Sequence, residues 1–312
     1  MDKLEHLAYG MVDSQFRLNC KNMVAINPEN LSLRLNVRTL GRFFEHRKEL
    51  AGYYMAHQEA CQSLVDYMTE QTTRIIYGLN QFVNLTRQDS RALKVLYWKL
   101  VRATIDALDS VRFFETFKEN LSNIVVRHSS LLRHFLLAIH DSDLISSGNS
   151  HPIVCMEYSP ALQLQLLGVN VSNLREPILD IGCGTNGQLV RQLRAWGYDA
   201  HGVDRSVIDH PHLIQSDWSD FPWIHEAWGT IVSHMAFSNH FNHHHLRTNG
   251  QPGVYAKTFM DILKALKRGG SFYYAPGLPF IEELLPGDKY RIIRVRDEMQ
   301  KGFYSSQVVR LE

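Results

Sequence analysis

The stretch "ILDIGCGTNGQLV", residues 178–190, joins a short apolar run to a glycine-rich loop. Its glycines, Gly182, Gly184 and Gly187, have the spacing G-x-G-x-x-G, and Asp204 lies 20 positions after Gly184. This spacing is the fingerprint of a strand, turn and helix that bind a dinucleotide, with the later acid on a ribose. The alternative is that the glycines only form a tight turn. The residues around the loop distinguish the ligand-binding interpretation from the structural one.

The residue before the loop argues against a pyrophosphate. Asp180 stands two positions ahead of Gly182, at the carboxyl end of the predicted strand, where we expect its carboxylate to face the ligand. Two unit charges about 4 Å apart interact by roughly 4 kcal/mol at an effective dielectric near 20. A ligand with an ammonium and a sulfonium is attracted instead. S-adenosylmethionine is such a ligand, and it also carries a ribose for Asp204 to bind.

Composition and charge describe a soluble globular protein long enough for two domains. Of the 312 residues, 45% are hydrophobic and 21% charged, and the net charge is +1. Nucleic acid and anionic membranes are therefore not the expected partners. The N-terminus "MDKLEHLAYG" lacks the pattern of a signal peptide, and no apolar stretch approaches membrane-spanning length. We expect a cytoplasmic protein, and the oligomeric state stays open.

The cysteines agree with a cytoplasmic location. Cys20, Cys61, Cys155 and Cys183 are scattered along the chain without a C-x-x-C pair. This distribution favours free thiols over a disulfide framework or a zinc site.

The chain divides into two stretches of different character. In the first, apolar residues recur at the three- and four-residue spacing of a helix face. They include Leu93, Leu96, Tyr97, Leu100, Val101, Leu108 and Val111, and later Leu131, Leu132, Phe135, Leu136 and Ile139. Asn27-Pro28 predicts a helix start, and the small and polar residues of 140–152 predict a linker. The sequence therefore predicts a helical N-terminal domain in 1–150 and a second domain in 151–312.

In the second stretch, strands and helices alternate. Strands are predicted in "EPILDIGCG", "DAHGVD", "TIVSHMAF" and "SFYYAPGLP", and helices in "GQLVRQLRAWG" and "YAKTFMDILKALKRGG", the latter ending at Gly-Gly. The tail from "YRIIRVRDEMQ" to "GFYSSQVVRLE" predicts an antiparallel hairpin at the sheet edge. The predicted fold class is therefore α/β, with an open, Rossmann-like sheet preceded by an all-α domain.

In their order, the motifs of residues 177–280 resemble those of the class I S-adenosylmethionine-dependent methyltransferases. "LDIGCGTNG" resembles the first glycine-rich motif, "GVD" the second strand with its ribose-binding acid, "QSDWSDFPW" the adenine-binding segment, "WGTIVSHMAFSNHF" the fourth-strand motif and "LKALKRGGSFYYA" the helix, turn and fifth strand. The resemblance implies S-adenosyl-L-methionine as cofactor and a methyltransferase sheet as fold. The cofactor-binding residues that it implies are Asp180, Gly182, Cys183, Gly184, Gly187, Asp204, Arg205, Asp217, Trp218, Ser233 and Tyr158.

Some of these residues also have a structural interpretation. The resemblance places Asp217 on the adenine amino group and Trp218 beside the ring, but Asp217 also suits a turn cap and Trp218 suits core packing. Tyr158 lies where the family often places a segment over the cofactor, and a structural role is its alternative. The family's proline before Gly-Gly is Arg268 here, and neither the N/D-P-P-Y signature nor a Pro-Cys nucleophile is present. Both absences disfavour a nucleic-acid base as the acceptor.

The segment after the fourth strand is the candidate acceptor site. Residues 227–260 contain no Asp or Glu, but they hold His234, His240, His243, His244 and His245. We expect this segment to be a loop, with His240 as general base or acceptor-orienting group because imidazole titrates near neutral pH. The outer three histidines are expected to be solvated. No metal site is expected, because a catalytic zinc needs three protein ligands and acids for magnesium or calcium are missing.

Together these features predict a methyltransferase that acts on an oxygen or nitrogen atom of a small-molecule acceptor. The helical domain exceeds what completes a sheet, so we expect it to close over the acceptor as a cap, with structural support as the alternative. Three other classes stay open: a non-methylating transferase similar to nicotianamine synthase, a cofactor-binding regulatory protein without turnover and, least favoured, a nicotinamide oxidoreductase. The identity of the acceptor stays open.

Overall fold

The protein consists of two compact units, Met1–Pro152 and Ile153–Glu312, in a computed structural model. The structure describes residues 2–24, 31–79, 82–83, 85–143, 158–207, 210–248, 250–296 and 304–312. The predicted helix start at Asn27-Pro28 and most of the predicted linker lie outside these ranges. Within them, no helix is both long enough and apolar enough to cross a bilayer.

The first unit is all-α, as its hydrophobic periodicity predicts. Its helices are α1 (Lys3–Val24), α2 (Val37–Glu45), α3 (Arg47–Ala56), α4 (Gln58–Leu79), α5 (Arg87–Ser110) and α6 (Phe114–Asp143). A capping box begins α5, because Thr86 Oγ1 accepts from Asp89 N at 3.1 Å and Asp89 Oδ2 accepts from Thr86 N at 2.8 Å. The buried stripe of α5 includes Leu93, Tyr97 and Val101. Packing of such stripes, more than helix propensity, stabilises these helices.

The second unit is built on a seven-stranded sheet in the order β3-β2-β1-β4-β5-β7-β6. Its strands are β1 (Ile178–Ile181), β2 (Ala200–Asp204), β3 (Leu213–Gln215), β4 (Trp228–His234), β5 (Leu266–Ala275), β6 (Tyr290–Arg296) and β7 (Tyr304–Arg310). The first five strands are parallel, and β7 and β6 form the predicted antiparallel hairpin beside β5. The expected Rossmann-like class is confirmed. The strand order reverses at β1, between β2 and β4, which is where open α/β sheets bind ligands.

The Gly-Gly pair ends no helix, so that detail of the sequence prediction is wrong. The helices of this unit are α7 (Pro160–Leu166), α8 (Gln188–Ala195), α9 (Phe237–His245), α10 (Pro252–Ala265) and α11 (Pro279–Glu282). Leu266 already has extended backbone, with ψ 138°, and begins β5. Gly269 lies inside this strand with φ 69°, near a shift in the β4–β5 register between Trp228 and Thr230. A left-handed residue at such an irregularity favours glycine.

A buried carboxylate joins the C-terminal hairpin to the rest of the sheet. Glu282 is 1% exposed. It accepts hydrogen bonds from Tyr274 Oη (2.8 Å), Leu278 N (2.8 Å), Arg294 Nε (2.8 Å), Tyr304 Oη (3.2 Å) and Ser306 Oγ (2.6 Å). Burial alone raises the pKa of a carboxyl, but these hydrogen bonds hold the pKa of Glu282 below its ordinary value. One ionised side chain therefore connects β5, β6 and β7.

Candidate functional site

The glycine loop after β1 has left-handed backbone at each of its three motif glycines. The angle φ is 75° at Gly182, 73° at Gly184 and 54° at Gly187, a region that favours glycine. A methyl group on Gly182 would lie 2.3 Å from the Cβ of Ala236, so only glycine fits where β1 and β4 end. Gly187 is the N-cap of α8. The positive end of the dipole of this helix therefore adjoins the loop.

Two carboxyl groups lie beside the loop. Asp204, at the end of β2, accepts from Gly184 N at 3.1 Å and from Ser206 N at 2.8 Å. Asp180 is 2% exposed, and its Oδ2 has no hydrogen-bond partner among the described residues. Burial, and then the charge of Asp204, raises the pKa of Asp180 to about 8. Burial also raises the pKa of Asp204, against the two backbone hydrogen bonds. A ligand that brings positive charge would stabilise both groups as carboxylates.

Ser233, a predicted cofactor contact, lies within β4 and uses its hydroxyl inside the fold. Its hydroxyl is fully buried, donates to Ile181 O at 2.9 Å and accepts from Phe237 N at 3.1 Å. These bonds tie β4 to β1 and to the start of α9. The side chain therefore stabilises the fold, and a contact of Ser233 with the cofactor stays a prediction.

Cys183 lies within the glycine loop, and Arg205 directly follows the end of β2. The Cys183 thiol donates to Gly184 O at an S···O distance of 3.6 Å, and burial raises its pKa. A thiol with a raised pKa is a packing group and not a nucleophile. Arg205 follows Asp204, and its positive charge opposes the effect of burial on the pKa of that carboxyl.

Asp217 and Trp218 lie in the turn after β3. Asp217 Oδ1 accepts from Ser219 N at 3.0 Å and from Ser219 Oγ at 2.9 Å, which is the turn cap considered as its alternative. The Cζ2 atom of Trp218 would lie 3.5 Å from a methyl group on Gly182. Trp218 thus stands beside the glycine loop, and the contacts of both residues with an adenine stay predictions.

The histidine-rich segment is helical and not the predicted loop. His240 lies on α9, is 4% exposed, packs edge-on against Trp218 at 4.8 Å between ring centroids and has Nδ1 3.4 Å from Tyr255 Oη. Burial, and then the charge of Arg205, lowers the pKa of His240 well below its ordinary value. The imidazole is therefore neutral at pH 7. The base role of His240 stays a prediction.

Of the outer histidines, His244 differs from the expected solvated loop, whereas His245 is exposed as expected. His244 is buried and stacks on Tyr255 at 4.7 Å between ring centroids, while the exposed His245 stacks on Phe280 at 3.6 Å. The physical reason is the aromatic side chains of α9 and its neighbours. Because of these contacts α9 has an apolar face, although its run of histidines looks polar in the sequence.

His234, the last residue of β4, has the features of a site residue that the sequence did not single out. It is 3% exposed, and neither ring nitrogen has a hydrogen-bond partner in the described part of the chain. Burial lowers its pKa to about 4. It lines a small cavity with Gln163 and the glycine loop, and its ring lies 5.1 Å from that of Tyr158. Tyr158 thus packs against a residue that lines this cavity, and its contact with a cofactor stays a prediction. The sequence signal was a histidine at the carboxyl end of a strand beside β1.

Metal and disulfide chemistry find no support in the described ranges. No group of three or more His, Cys, Asp and Glu side chains in them is placed to hold a metal ion. Cys61 and Cys183 are free thiols, whereas Cys155 and the side chain of Cys20 lie outside the described residues.

Comparison with known proteins gives structural neighbours but no sequence family. No protein-family model matches the chain, and no curated protein matches it. Several solved structures are similar to part of it. One is the complex between the Haloferax volcanii Trm112 methyltransferase activator and the putative methyltransferase (21% identity, TM-score 0.27), and the match covers 37% of this chain and 53% of that chain.

Two further neighbours are covered almost completely. The N-methyltransferase NodS from Bradyrhizobium japonicum WM9, in complex with S-adenosyl-L-homocysteine, has 14% identity and a TM-score of 0.38 over 53% of this chain and 94% of its own. An rRNA methylase from Streptococcus thermophilus has 14% identity and a TM-score of 0.34 over 50% of this chain and 99% of its own. The chain is thus similar to solved structures of S-adenosylmethionine-dependent methyltransferases, the class whose motifs its sequence resembles.

Proposed function

We propose that the α/β unit binds S-adenosyl-L-methionine and transfers its methyl group to an oxygen or nitrogen atom of a small-molecule acceptor. The observation that carries the proposal is the buried carboxyl of Asp180 beside the glycine loop, with Oδ2 unpartnered in the described part of the chain. A cation there lowers the raised pKa of Asp180 and compensates the burial of its charge. The sulfonium and ammonium supply such charge, whereas a pyrophosphate adds negative charge beside Asp180 and Asp204.

The other groups around the loop fit the rest of this ligand. The N-terminus of α8 favours a carboxylate, and neutral His234 can donate one ring N–H to the same group. Two backbone hydrogen bonds hold Asp204 in place, where its remaining lone pairs can accept from ribose hydroxyls. When bound, the cofactor supplies an electrophilic methyl group. The residues of the chain align the acceptor with it and exclude water.

The near-neutral charge of the chain supports a small molecule as acceptor. A net charge of +1 provides no general attraction for a polyanion, and phosphate contacts dominate the affinity of nucleic-acid-binding proteins. His240 stays the candidate base. Because its ring is buried against Trp218 and near Tyr255, an acceptor reaches it only when a neighbouring side chain moves.

The test is incubation of the full chain with S-adenosyl-L-methionine and fractions of a metabolite extract, followed by mass spectrometry. S-adenosylhomocysteine, together with a metabolite heavier by one methylene unit, supports the proposal. Methylthioadenosine would indicate the transfer chemistry of nicotianamine-synthase-like enzymes, and cofactor binding without any by-product would indicate a regulatory protein. Binding of NADH instead of S-adenosyl-L-methionine would overturn the cofactor assignment.

A parallel incubation with total RNA tests the acceptor class. Labelled methyl groups in RNA and none in the metabolite fractions would overturn the small-molecule part of the proposal. The Asp180→Asn variant serves as the cofactor-binding control in both incubations.

A further inference from the structure

The helical unit contains a cavity of about 150 Å³. All six helices, α1 to α6, contribute to its walls, which are almost wholly apolar and include the rings of Phe16, Phe43, Tyr54 and Tyr97. An engineered apolar cavity of this volume binds benzene. The cavity therefore has room for one six-membered ring. Every lining residue belongs to the unit Met1–Pro152, so the site is complete within that unit.

Two buried polar side chains line this cavity without hydrogen-bond partners in the described ranges. They are His128, 4% exposed and unpartnered at both ring nitrogens, and Tyr54, 5% exposed and unpartnered at its hydroxyl. Burial lowers the pKa of His128 to about 4 and raises the pKa of Tyr54, so both groups are neutral at pH 7. Each can donate and accept hydrogen bonds. Buried polar groups left unpaired are rare in native proteins because their lost hydration is not compensated.

The remaining lining residues exclude a charged ligand. Among them, all of which the structure describes, Arg34 alone has a permanently charged side chain, and it is exposed. Asn19 uses its amide internally, accepting from Arg34 N at 2.7 Å and donating to Gln15 O at 2.9 Å. An ion in these apolar surroundings would lose its hydration without a counter-charge. The ligand must therefore be neutral, and His128 and Tyr54 are the groups that can orient it.

We propose that the helical unit binds a neutral aromatic alcohol of about the size of phenol, with its ring in the apolar cavity and its hydroxyl on His128 and Tyr54. A hydroxyl both donates and accepts, so one group can donate to the imidazole and accept from Tyr54. The aromatic walls suit edge-to-face contact with a ring. The ring of Tyr97 lies 5.1 Å from that of His128, and its hydroxyl is held by Thr72. This binding does not depend on the proposed methyl transfer.

The test is titration of the full chain with phenol and with toluene, followed by calorimetry and by NMR of the histidine ring nitrogens. We expect phenol to bind about tenfold more tightly than toluene, because a net hydrogen bond to the phenol hydroxyl strengthens binding by up to roughly this factor. Phenol should also shift the ring signals of His128. Tyr54→Phe keeps the ring and removes the hydroxyl, so phenol affinity should fall about tenfold while toluene affinity stays. Tyr53→Phe is the matched control, because Tyr53 bonds to Glu5 at 3.0 Å and does not line the cavity.

Two results would overturn the proposal. Equal affinity for phenol and toluene in the wild-type chain would show an apolar void without a polar subsite. Absence of binding by either compound, with unchanged His128 signals, would show a cavity that takes no aromatic ligand. The NMR titration uses the wild-type chain, so a folding defect in Tyr54→Phe cannot obscure the outcome.

Discussion

Replacement of Asp180 by Asn should remove a loss of stability that the α/β unit undergoes as the pH rises to neutral. The same replacement should weaken the binding of S-adenosyl-L-methionine. In the wild-type protein, the folded state keeps the Asp180 proton up to about pH 8, whereas the unfolded chain releases it near the usual pKa of 3.8. Between these values the unfolded state binds fewer protons, so the free energy of unfolding falls as pH rises. Asparagine does not titrate, and Asp180→Asn removes this dependence.

The magnitude follows from the width of the pH window. Each pH unit between the two pKa values changes the free energy of unfolding by about 1.4 kcal/mol. From pH 5 to pH 7, the free energy of unfolding of the wild-type protein should therefore fall by about 3 kcal/mol relative to that of Asp180→Asn. Packing differences between Asp and Asn cancel in this comparison, because they do not change with pH. The loss of a charge-assisted contact should weaken cofactor binding by roughly one to two decades.

Urea unfolding at several pH values, followed by tryptophan fluorescence, measures the free energy of unfolding of the α/β unit. Four of the five tryptophans, Trp196, Trp218, Trp223 and Trp228, lie in the α/β unit. The exposed Asp288 provides the matched control, since Asp288→Asn should leave the pH dependence of the wild type unchanged. An Asp180→Asn protein with wild-type pH dependence and undiminished cofactor affinity would refute the assignment of Asp180 as the buried carboxyl of the ligand site.

Four further predictions concern single side chains. Asp204→Ala should weaken S-adenosyl-L-methionine binding by about one to two decades in calorimetry, and unchanged affinity in a folded variant would contradict its ribose role. His234→Phe should weaken cofactor binding by about tenfold, while His245→Phe, at an exposed ring, should not, and equal affinities would remove His234 from the site. His240→Gln should leave cofactor affinity intact and lower turnover by roughly two to four decades; turnover within a few-fold of wild type would defeat the base role. Glu282→Gln should lower the free energy of unfolding by about 3 to 5 kcal/mol, with the exposed neighbour variant Glu283→Gln as control, and equal urea midpoints would count against the buried network.

The fold of the α/β unit could be predicted because its signals are local. Apolar runs that end in glycine or aspartate give β1 and β2, and the helical spacing between them gives α8. The end of α10 could not be predicted in the same way. Pairing of Leu266 with Trp228 across the sheet begins β5 before Gly269, and such a tertiary contact leaves no mark in the adjacent sequence.

The candidate ligand site could be predicted only in part for the same reason. Asp180 and Asp204 stand at fixed distances from the glycines, so spacing finds them. The significance of His234 depends on its ring having no hydrogen-bond partner among the described residues, and this is a property of the folded surroundings. The position of His240 was predicted, but its burial follows from aromatic packing that the polar appearance of α9 conceals.

The hydrogen bonds that converge on Glu282 bear on how the sheet opens and closes. Edge strands usually exchange their amide hydrogens early, because they detach in local fluctuations that leave the core intact. Here detachment of β6 and β7 would break the hydrogen bonds that Arg294, Tyr304 and Ser306 donate to the Glu282 carboxylate. We therefore expect the hairpin amides to exchange in the same slow, cooperative opening as the central strands. In this respect the C-terminal hairpin belongs to the folding unit that carries the candidate ligand site.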